Sequence, residues 1–309
     1  MRKTPKATEQ RNPRTRGFDE KSILDLLRII RREDKMALKA VSGTLPSIAR
    51  AVEAIVQSLQ QGGRIFYVGA GTSGRLAALD AAELPPTFGT SERTVQAVIA
   101  GGRRALTHAS EGVEDHRRQG AGDLATHHVT AKDAVVGITA SGSTPYVLGA
   151  LDLAKRRRAV TICITSNPRT PITRIAKFSI VTPTGPEVIT GSTRMKAGTA
   201  QKMVLNMLST ASMIRIGRVY DNWMIGVALT NDKLRARGLR ILVEASGATV
   251  AQATRALRQS GHRMDVALLL LETGANVREA RASLRENSGN VREALAKLRK
   301  TLNRQKPHG

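Results

Sequence analysis

Two short turns rich in glycine and hydroxyl side chains are the first residues of this sequence that could do chemistry. Residues 69–75 read Gly-Ala-Gly-Thr-Ser-Gly-Arg, and residues 141–145 read Ser-Gly-Ser-Thr-Pro. Each turn follows an apolar run typical of a buried strand and precedes a helical pattern. The free N–H groups of a helix start attract anions and the hydroxyls add donors, so both turns indicate a phosphate site.

Two other interpretations of these turns stay open. The glycines of residues 69–75 satisfy G-x-G-x-x-G, the spacing of dinucleotide sites. A nicotinamide site needs an acidic residue at the end of the second strand. Glu92 has about the right spacing but precedes that strand, and Arg103 and Arg104 follow it. The dinucleotide interpretation therefore stays open only for a cofactor with a 2′-phosphate, which the arginines could bind. Either turn alone could also serve as a helix cap. Two such turns at the ends of parallel strands favour one compact phosphorylated ligand.

A third candidate stretch, residues 185–196, leads into a long apolar helix. Arg194 and Lys196 would stand where that helix begins, and a fixed cation there could meet a phosphate or sugar oxygen. A solvated helix start with incidental charges is the alternative. The phosphate- and sugar-binding residues predicted from the three stretches are Gly71, Thr72, Ser73, Ser141, Ser143, Thr144, Ser192, Arg194 and Lys196.

Carboxylates are the candidates for proton transfer. Glu83 ends the first crossover helix beside Leu84, whose apolar side chain disfavours a charged carboxylate. Glu111, Glu114 and Asp115 cluster after the second strand, and composition alone does not choose among them. The six histidines show no metal-ligand spacing with the single cysteine, so neither a metal nor a cofactor is predicted.

The elements that must position these residues follow from the hydrophobic pattern. Five short apolar runs alternate with helical stretches, which predicts an α/β fold with a parallel sheet sandwiched between helices. Only helical patterns follow residue 235, and there Asn-Val-Arg-Glu-Ala occurs twice, at residues 276–280 and 290–294. The predicted organisation is a flexible basic arm over residues 1–17, an α/β domain with N-terminal helices over residues 18–235, and a helical C-terminal segment over residues 236–309.

Composition excludes several classes of protein. The 309 residues carry a net charge of +24, but the basic residues are dispersed and match no helix-turn-helix or zinc-finger spacing. Only 3% of residues are aromatic, too few for a surface that stacks single-stranded nucleic acid. No apolar run reaches the length of a membrane span, and the first 17 residues lack the apolar stretch typical of a secretory signal. The lone cysteine, Cys163, is typical of a reducing cytoplasm.

Together the motifs resemble those of the N-acetylmuramic acid 6-phosphate etherase family over nearly the whole chain. The long stretch at residues 185–201 is the most specific of them. The related glucokinase regulatory protein shares several motifs but is larger and has two SIS (sugar isomerase) domains, so the chain length favours the enzyme. The motifs that carry the resemblance lie at residues 8–13, 69–75, 80–83, 85–89, 111–115 and 185–201.

The resemblance implies an SIS fold and cleavage of the lactyl ether of N-acetylmuramic acid 6-phosphate during cell-wall recycling, without metal or cofactor. It implies that Glu114 is the base that removes the C2 proton and that Glu83 is the acid that assists lactate departure. Three positions differ from the family pattern: Ser143 replaces a frequent arginine, Leu84 a frequent cysteine and Gly226 a usual aspartate.

A homodimer is predicted from the length of one helix. Ten residues separate Ser73 from Glu83, which is a rise of about 15 Å along a helix. Glu83 would therefore serve a sugar bound at the turns of another subunit, or the ligand would lie across the fold. A non-catalytic sugar-phosphate-binding regulator and an SIS-type sugar-phosphate isomerase are the alternatives to the etherase. A nucleic-acid-associated protein is a further, less favoured, interpretation.

Overall fold

The computed structural model describes residues 6–227, 229 and 231–305, and within them two compact units. The first contains the residues up to 81 together with residues 93–210, and the second contains residues 82–92 and those from 211 onward. The described residues between 211 and 235, which the sequence assigns to the α/β domain, therefore belong to the second unit. None of the helices in these ranges combines the length and apolarity that a bilayer crossing needs.

A five-stranded parallel sheet forms the centre of the first unit, in the order β2-β1-β3-β4-β5. Every strand of the sheet arises from one of the five predicted apolar runs. The runs lack polar alternation because helices cover both faces of such a sheet, and the predicted α/β class is confirmed. The strands are β1 (Ile65–Gly69), β2 (Val95–Ile99), β3 (Ala134–Ile138), β4 (Val160–Thr165) and β5 (Phe178–Val181).

Seven helices accompany the sheet, and two of them, α3 and α7, continue into the second unit. Proline lies in the first turn of α2, α5 and α6, where its fixed φ favours the helix and its missing N–H costs nothing. The helices are α1 (Ile23–Ser42), α2 (Leu45–Gln60), α3 (Gly71–Phe88), α4 (Arg117–Ala125), α5 (Pro145–Arg156), α6 (Pro171–Ile175) and α7 (Lys196–Arg215).

The pair α4 and α5 packs unusually closely, through glycine. A Cβ on Gly120 would lie 1.9 Å from the carbonyl oxygen of Tyr146, and a Cβ on Gly149 would lie 1.9 Å from that of Arg117. Both glycines are therefore required by the close approach of the two backbones. Because α5 is buried against the sheet, this approach also fixes the segment that precedes α4, which carries Glu114.

Residues 6–17, where the sequence predicts a flexible arm, pack on the first unit. Thr8 is fully buried and accepts a 3.1 Å hydrogen bond from Asn167 Nδ2. Asn12, also buried, donates to Glu33 at 2.9 Å, and Arg14 donates to both oxygens of the same carboxylate. The buried acceptor needs these donors, which no local sequence pattern reveals.

The second unit is helical, as the sequence predicts for the C-terminal part. The repeated Asn-Val-Arg-Glu-Ala is a helix-start signal: Asn276 accepts from the backbone N–H of Glu279, whose side chain accepts from the backbone N–H of Asn276, and Asn290 and Glu293 form a similar pair. Two capped helices thus explain the repeat. The helices are α8 (Asp232–Ser246), α9 (Val250–Gln259), α10 (Met264–Thr273), α11 (Val277–Glu286) and α12 (Val291–Gln305).

Candidate active site

A cavity of about 270 Å³ opens at the carboxyl ends of β1 and β3. The chain proceeds from β1 to β2 on one side and then to β3 on the other, so the loops after β1 and β3 diverge and leave a crevice. Its lining is dominated by small and hydroxyl-bearing residues. The lining residues are Glu9, Ala70, Gly71, Thr72, Ser73, Arg75, Ala109, Ser110, Glu111, Glu114, Ile138, Thr139, Ala140, Ser141, Thr144 and Thr193.

The first predicted turn contributes the start of α3 to this cavity. Gly71 has φ +52°, in the left-handed region that glycine adopts most easily, and it begins the helix directly after β1. The Ser73 hydroxyl donates to Gln201 Oε1 at 2.9 Å, which ties the turn to α7. The first N–H groups of α3 have no partner within the helix and so remain available to an anion.

The second predicted turn contributes a chain of hydroxyls. Thr139 Oγ1 lies 2.7 Å from Thr144 Oγ1 and 3.2 Å from Ser141 Oγ, which in turn lies 3.3 Å from Ser143 Oγ. Gly142 has φ +71°, and a Cβ there would lie 2.3 Å from Thr170 Oγ1, so the turn requires glycine. The two predicted turns are thus brought together at one cavity.

The N-terminal segment brings two further charged residues that the sequence reasoning missed. Glu9 lines the cavity. The Lys6 ammonium donates a hydrogen bond to the hydroxyl of Ser143, a predicted binding residue that belongs to the second turn but not to the lining. Burial lowers the pKa of Lys6, while nearby Glu9 raises it. The resemblance at residues 8–13 was the only signal for this segment, because Lys6 and Ser143 are 137 positions apart.

Two other carboxylates and one arginine face the same space. Half-buried Glu114 lies in a short 3-10 turn after β2, and exposed Glu111 lies just before it. Arg75 donates to the carbonyl oxygens of Ala105 and His108, both at 2.9 Å, so its guanidinium is held in place. The lining therefore combines three carboxylates, of which only Glu114 is half-buried, with many hydroxyls and one cation, Arg75.

Glu83 is not part of the lining. It is exposed in the single chain and lies on the part of α3 that belongs to the second unit. Its predicted role as an acid stays a prediction.

The third predicted stretch divides between surface and interior. Thr193 lines the cavity, whereas half-buried Ser192 and exposed Arg194 do not. Lys196 is fully buried: its ammonium donates to Glu33 at 2.7 Å and to the carbonyl oxygen of Pro186 at 2.6 Å. Lys196 therefore does not meet a ligand in this cavity, because its charge is already neutralised inside the unit.

Two buried carboxylates near Lys196, Glu33 and Glu187, stabilise the first unit. The pKa of Glu33 is lowered to about 2, and the hydrogen bonds from Arg14 are the largest cause. Glu187 is also fully buried and accepts from the first backbone N–H groups of α7, at Lys196 and Ala197. Burial raises the pKa of Glu187. This buried network fixes the N-terminal segment and the start of α7 on the same unit.

A larger cavity, of about 690 Å³, lies along β2 and α4 in the same unit. Its lining is mainly apolar and contains none of the predicted site residues. Size alone therefore does not identify the site, and the convergent polar groups favour the smaller cavity. In the part of the chain that the structure describes, no three His, Cys, Asp or Glu side chains are grouped as metal ligands would be.

Comparison with known proteins gives matches over most of the chain. Residues 47–155 match the model of the glucokinase regulatory protein N-terminal SIS domain, and residues 104–211 match that of the SIS domain. The chain is 48% identical to the N-acetylmuramic acid 6-phosphate etherase of Actinobacillus pleuropneumoniae serotype 7, over 88% of this chain and 90% of that protein. It is 49% identical to the enzyme of the same name from Rhizobium rhizogenes, over 90% of this chain and 91% of that protein.

Solved structures agree on the fold. One, described as a phosphosugar isomerase involved in capsule formation from Bacteroides fragilis, has a TM-score of 0.50 and 19% sequence identity. The match covers 65% of this chain and 95% of that one. At this identity the likeness concerns the sheet and its helices alone.

Proposed function

We propose, because this chain belongs to the N-acetylmuramic acid 6-phosphate etherase family, that it cleaves the lactyl ether of N-acetylmuramic acid 6-phosphate. The products are N-acetylglucosamine 6-phosphate and D-lactate. The observation that carries the proposal is that Glu114 shares one cavity with both hydroxyl turns, in a chain nearly half identical to etherases. A reducing cytoplasm is the proposed compartment.

The phosphate end of the substrate belongs at the two turns. The start of α3 presents backbone N–H groups, and Ser141 and Thr144 add hydroxyl donors. Arg75 supplies a positive charge from the lining, and the Lys6 ammonium lies beside the second turn, on the Ser143 hydroxyl. This set recognises a phosphate dianion through charge-assisted hydrogen bonds.

The reacting end of the substrate belongs beside Glu114. In the open-chain sugar the C2 proton is acidic, because C2 lies next to the C1 aldehyde. Glu114 as a carboxylate removes that proton, and the electron pair then expels the lactyl oxygen from C3 and leaves a C2–C3 double bond. A protonated acid gives the departing lactate its proton, and water then adds at C3 to give the product. The reaction needs two carboxyl groups in opposite protonation states.

Glu83 is the proposed acid, and a homodimer is the proposed assembly. Because Glu83 is exposed and does not line the cavity of its own chain, we assign it to the cavity of a partner subunit. The pair of carboxyl groups is then completed only in the dimer.

A sugar-phosphate-binding regulator without catalysis is the second candidate, favoured by the match of residues 47–155 to the glucokinase regulatory protein domain. Such a protein would bind N-acetylglucosamine 6-phosphate without releasing lactate from the etherase substrate. Glu114 in the cavity weighs against it, since binding alone does not need a carboxylate near an anionic ligand.

The test is incubation of the protein with N-acetylmuramic acid 6-phosphate in ¹⁸O-labelled water. We expect D-lactate and N-acetylglucosamine 6-phosphate in equal amounts, with ¹⁸O in the C3 hydroxyl of the sugar and none in the released lactate. This pattern follows because the C3–O bond breaks and water supplies the new C3 oxygen. N-Acetylmuramic acid without phosphate is the control substrate and should react far more slowly.

Three results would contradict the proposal. Binding of the sugar phosphate without any lactate would indicate the regulator. Transfer of the C2 proton to C1 with the ether intact would indicate an isomerase. Label in the lactate would mean that the bond on the other side of the ether oxygen breaks.

A further inference from the structure

The second, helical unit contains a separate cavity that the proposed reaction does not use. Its volume is about 380 Å³, within the range of small-molecule sites. Four of its lining residues are arginines and none is acidic. The lining residues are Arg218, Arg263, Arg281, Leu284, Arg285, Ser288 and Gly289.

Two of the arginines are held by neighbouring acceptors. Arg281 Nη2 donates to the carbonyl oxygen of Ser260 at 3.1 Å. Arg263 Nε donates to Asp265 Oδ1 at 3.1 Å, and its Nη2 pairs with the other oxygen of that carboxylate. Both guanidinium groups are therefore oriented before any ligand arrives, while N–H donors remain on each.

Arg218 is placed by two glycines and carries an unsatisfied donor. Gly217 has φ +78°, and a Cβ there would lie 2.4 Å from Asn290 Cα, so glycine allows this close approach to the start of α12. Gly289 lies beside the Arg218 guanidinium, since a Cβ there would be 3.7 Å from Nη1. Arg218 Nε is buried and has no hydrogen-bond partner among the described residues. A buried donor of this kind calls for an acceptor from outside the chain.

The charges around the cavity do not balance. Arg281 and Arg285 are four residues apart on α11, so they face the same side of the helix and repel each other. Asp265 pairs with one of the four arginines. Glu286 also attracts Arg285 but is itself paired with Lys297, so positive charge remains in surplus. Arginine clusters of this kind match phosphate oxygens in a bidentate geometry.

We propose that this cavity binds a diphosphate group, either free or esterified to a nucleoside. A diphosphate carries enough negative charge to offset the surplus and enough oxygens to engage several guanidinium groups at once. Leu284 is the only large apolar residue of the lining and no aromatic ring lies in it. The diphosphate, and not a stacked base, therefore carries the affinity.

The test is isothermal titration of the full chain with inorganic pyrophosphate, orthophosphate, ADP and AMP. We expect pyrophosphate and ADP to bind with similar affinity and at least 10-fold more tightly than orthophosphate and AMP. Equal affinities for ADP and pyrophosphate would support the diphosphate as the group that is recognised. Much tighter binding of ADP than of pyrophosphate would contradict the proposal, because the nucleoside would then carry the affinity.

Variants locate the binding. Arg218→Gln and Arg285→Gln should each weaken pyrophosphate binding at least 10-fold, as loss of a charge-assisted bond does. Arg255→Gln, at an exposed arginine of α9 outside the cavity, is the matched control and should bind normally. Melting curves show whether each variant is folded.

Several results would overturn the proposal. One is the absence of pyrophosphate binding by the folded wild-type chain. Another is an equal loss in all three variants, or tighter binding of a single-stranded oligonucleotide, since either would indicate a diffuse basic surface. A loss in Lys6→Met alone would place pyrophosphate in the sugar-phosphate cavity instead.

Discussion

At the scale of single residues, the proposed chemistry depends on two glutamates in different surroundings. Glu114 is half-buried at a cavity with hydroxyl donors, whereas Glu83 is exposed on α3. The base acts before the leaving group departs, so an experiment that detects proton removal by itself can distinguish the two roles. The acid is needed only when the C3–O bond breaks.

Replacing each glutamate by alanine should therefore give different failures. Glu83→Ala should lose most lactate release, by about 10²–10⁴-fold, yet still exchange the C2 proton of the substrate with heavy water. Glu114→Ala should lose lactate release and exchange together, because neither step begins without the base. Lactate assays and NMR of the C2 position measure both. Exchange that survives in Glu114→Ala but not in Glu83→Ala would reverse the assignment.

Lys6 gives a second prediction at this scale, since its ammonium lies at the Ser143 hydroxyl. Lys6→Met should raise the KM for the sugar phosphate and the inhibition constant of inorganic phosphate about 10-fold, with a smaller change in kcat. Lys6→Arg should restore most of the affinity, and exposed Lys21→Met is the matched control. An unchanged KM in Lys6→Met would remove Lys6 from the phosphate site.

At the scale of elements, the N-terminal segment and α7 are joined to α1 by one buried carboxylate. Glu33 receives hydrogen bonds from Asn12, Arg14 and Lys196 and is about 1% exposed. Removing one partner of a buried ion pair leaves the other charge without compensation, which costs more than the pair contributes. Glu33 thus couples the segment that carries Lys6 and Glu9 to the helices of the same unit.

Acid should weaken this junction, the contacts of Glu33 with the N-terminal segment and α7, over a defined range of pH. The folded-state pKa of Glu33 is lowered to about 2 from an ordinary value of 4.5. Its contribution to stability is therefore complete above pH 4.5 and is lost as the pH falls toward 2. Glu33→Gln should lower the free energy of unfolding at neutral pH by about 3–5 kcal/mol and flatten its dependence on pH in this range.

Denaturant unfolding between pH 2 and pH 7 measures this effect. Glu53→Gln, at an exposed glutamate of α2, is the control and should behave as the wild type. Equal pH dependence in Glu33→Gln and the wild type would show that the carboxylate does not hold the junction.

At the scale of the whole molecule, the proposal requires two subunits for each complete site. The assignment of Glu83 to a partner cavity makes a strict prediction about mixed dimers. A dimer of one Glu83→Ala subunit and one Glu114→Ala subunit then has one site with both glutamates intact. If both glutamates came from the same chain, that dimer would have none.

Mixing the two inactive variants should therefore restore activity. After joint refolding of equal amounts, half of the dimers are mixed and each has one intact site, so about a quarter of the wild-type activity is expected. Lactate release and a solution mass by light scattering are the measurements. Absence of complementation in a proven mixed dimer, or full wild-type activity in a monomer, would refute the shared site.

The sequence by itself determined the elements and the two turns of the site. Five apolar runs became the five strands, because strands buried on both faces need continuous apolar residues. The hydroxyl turns followed the ends of β1 and β3, and parallel strands bring such ends to one edge, so Ser73, Ser141 and Thr144 meet at one cavity. These features are local or follow from topology.

Only the tertiary structure decided which charged residues belong to that cavity. Lys196, which the sequence predicts as a binding residue, is buried against Glu33. Glu9, in the predicted arm, lines the cavity, and Lys6 reaches Ser143 of the second turn. Whether a charge is solvated, paired or placed in a cavity depends on burial by residues far away in the sequence, and periodicity carries no record of such contacts. The four arginines around the cavity of the second unit likewise come from three segments that only packing brings together.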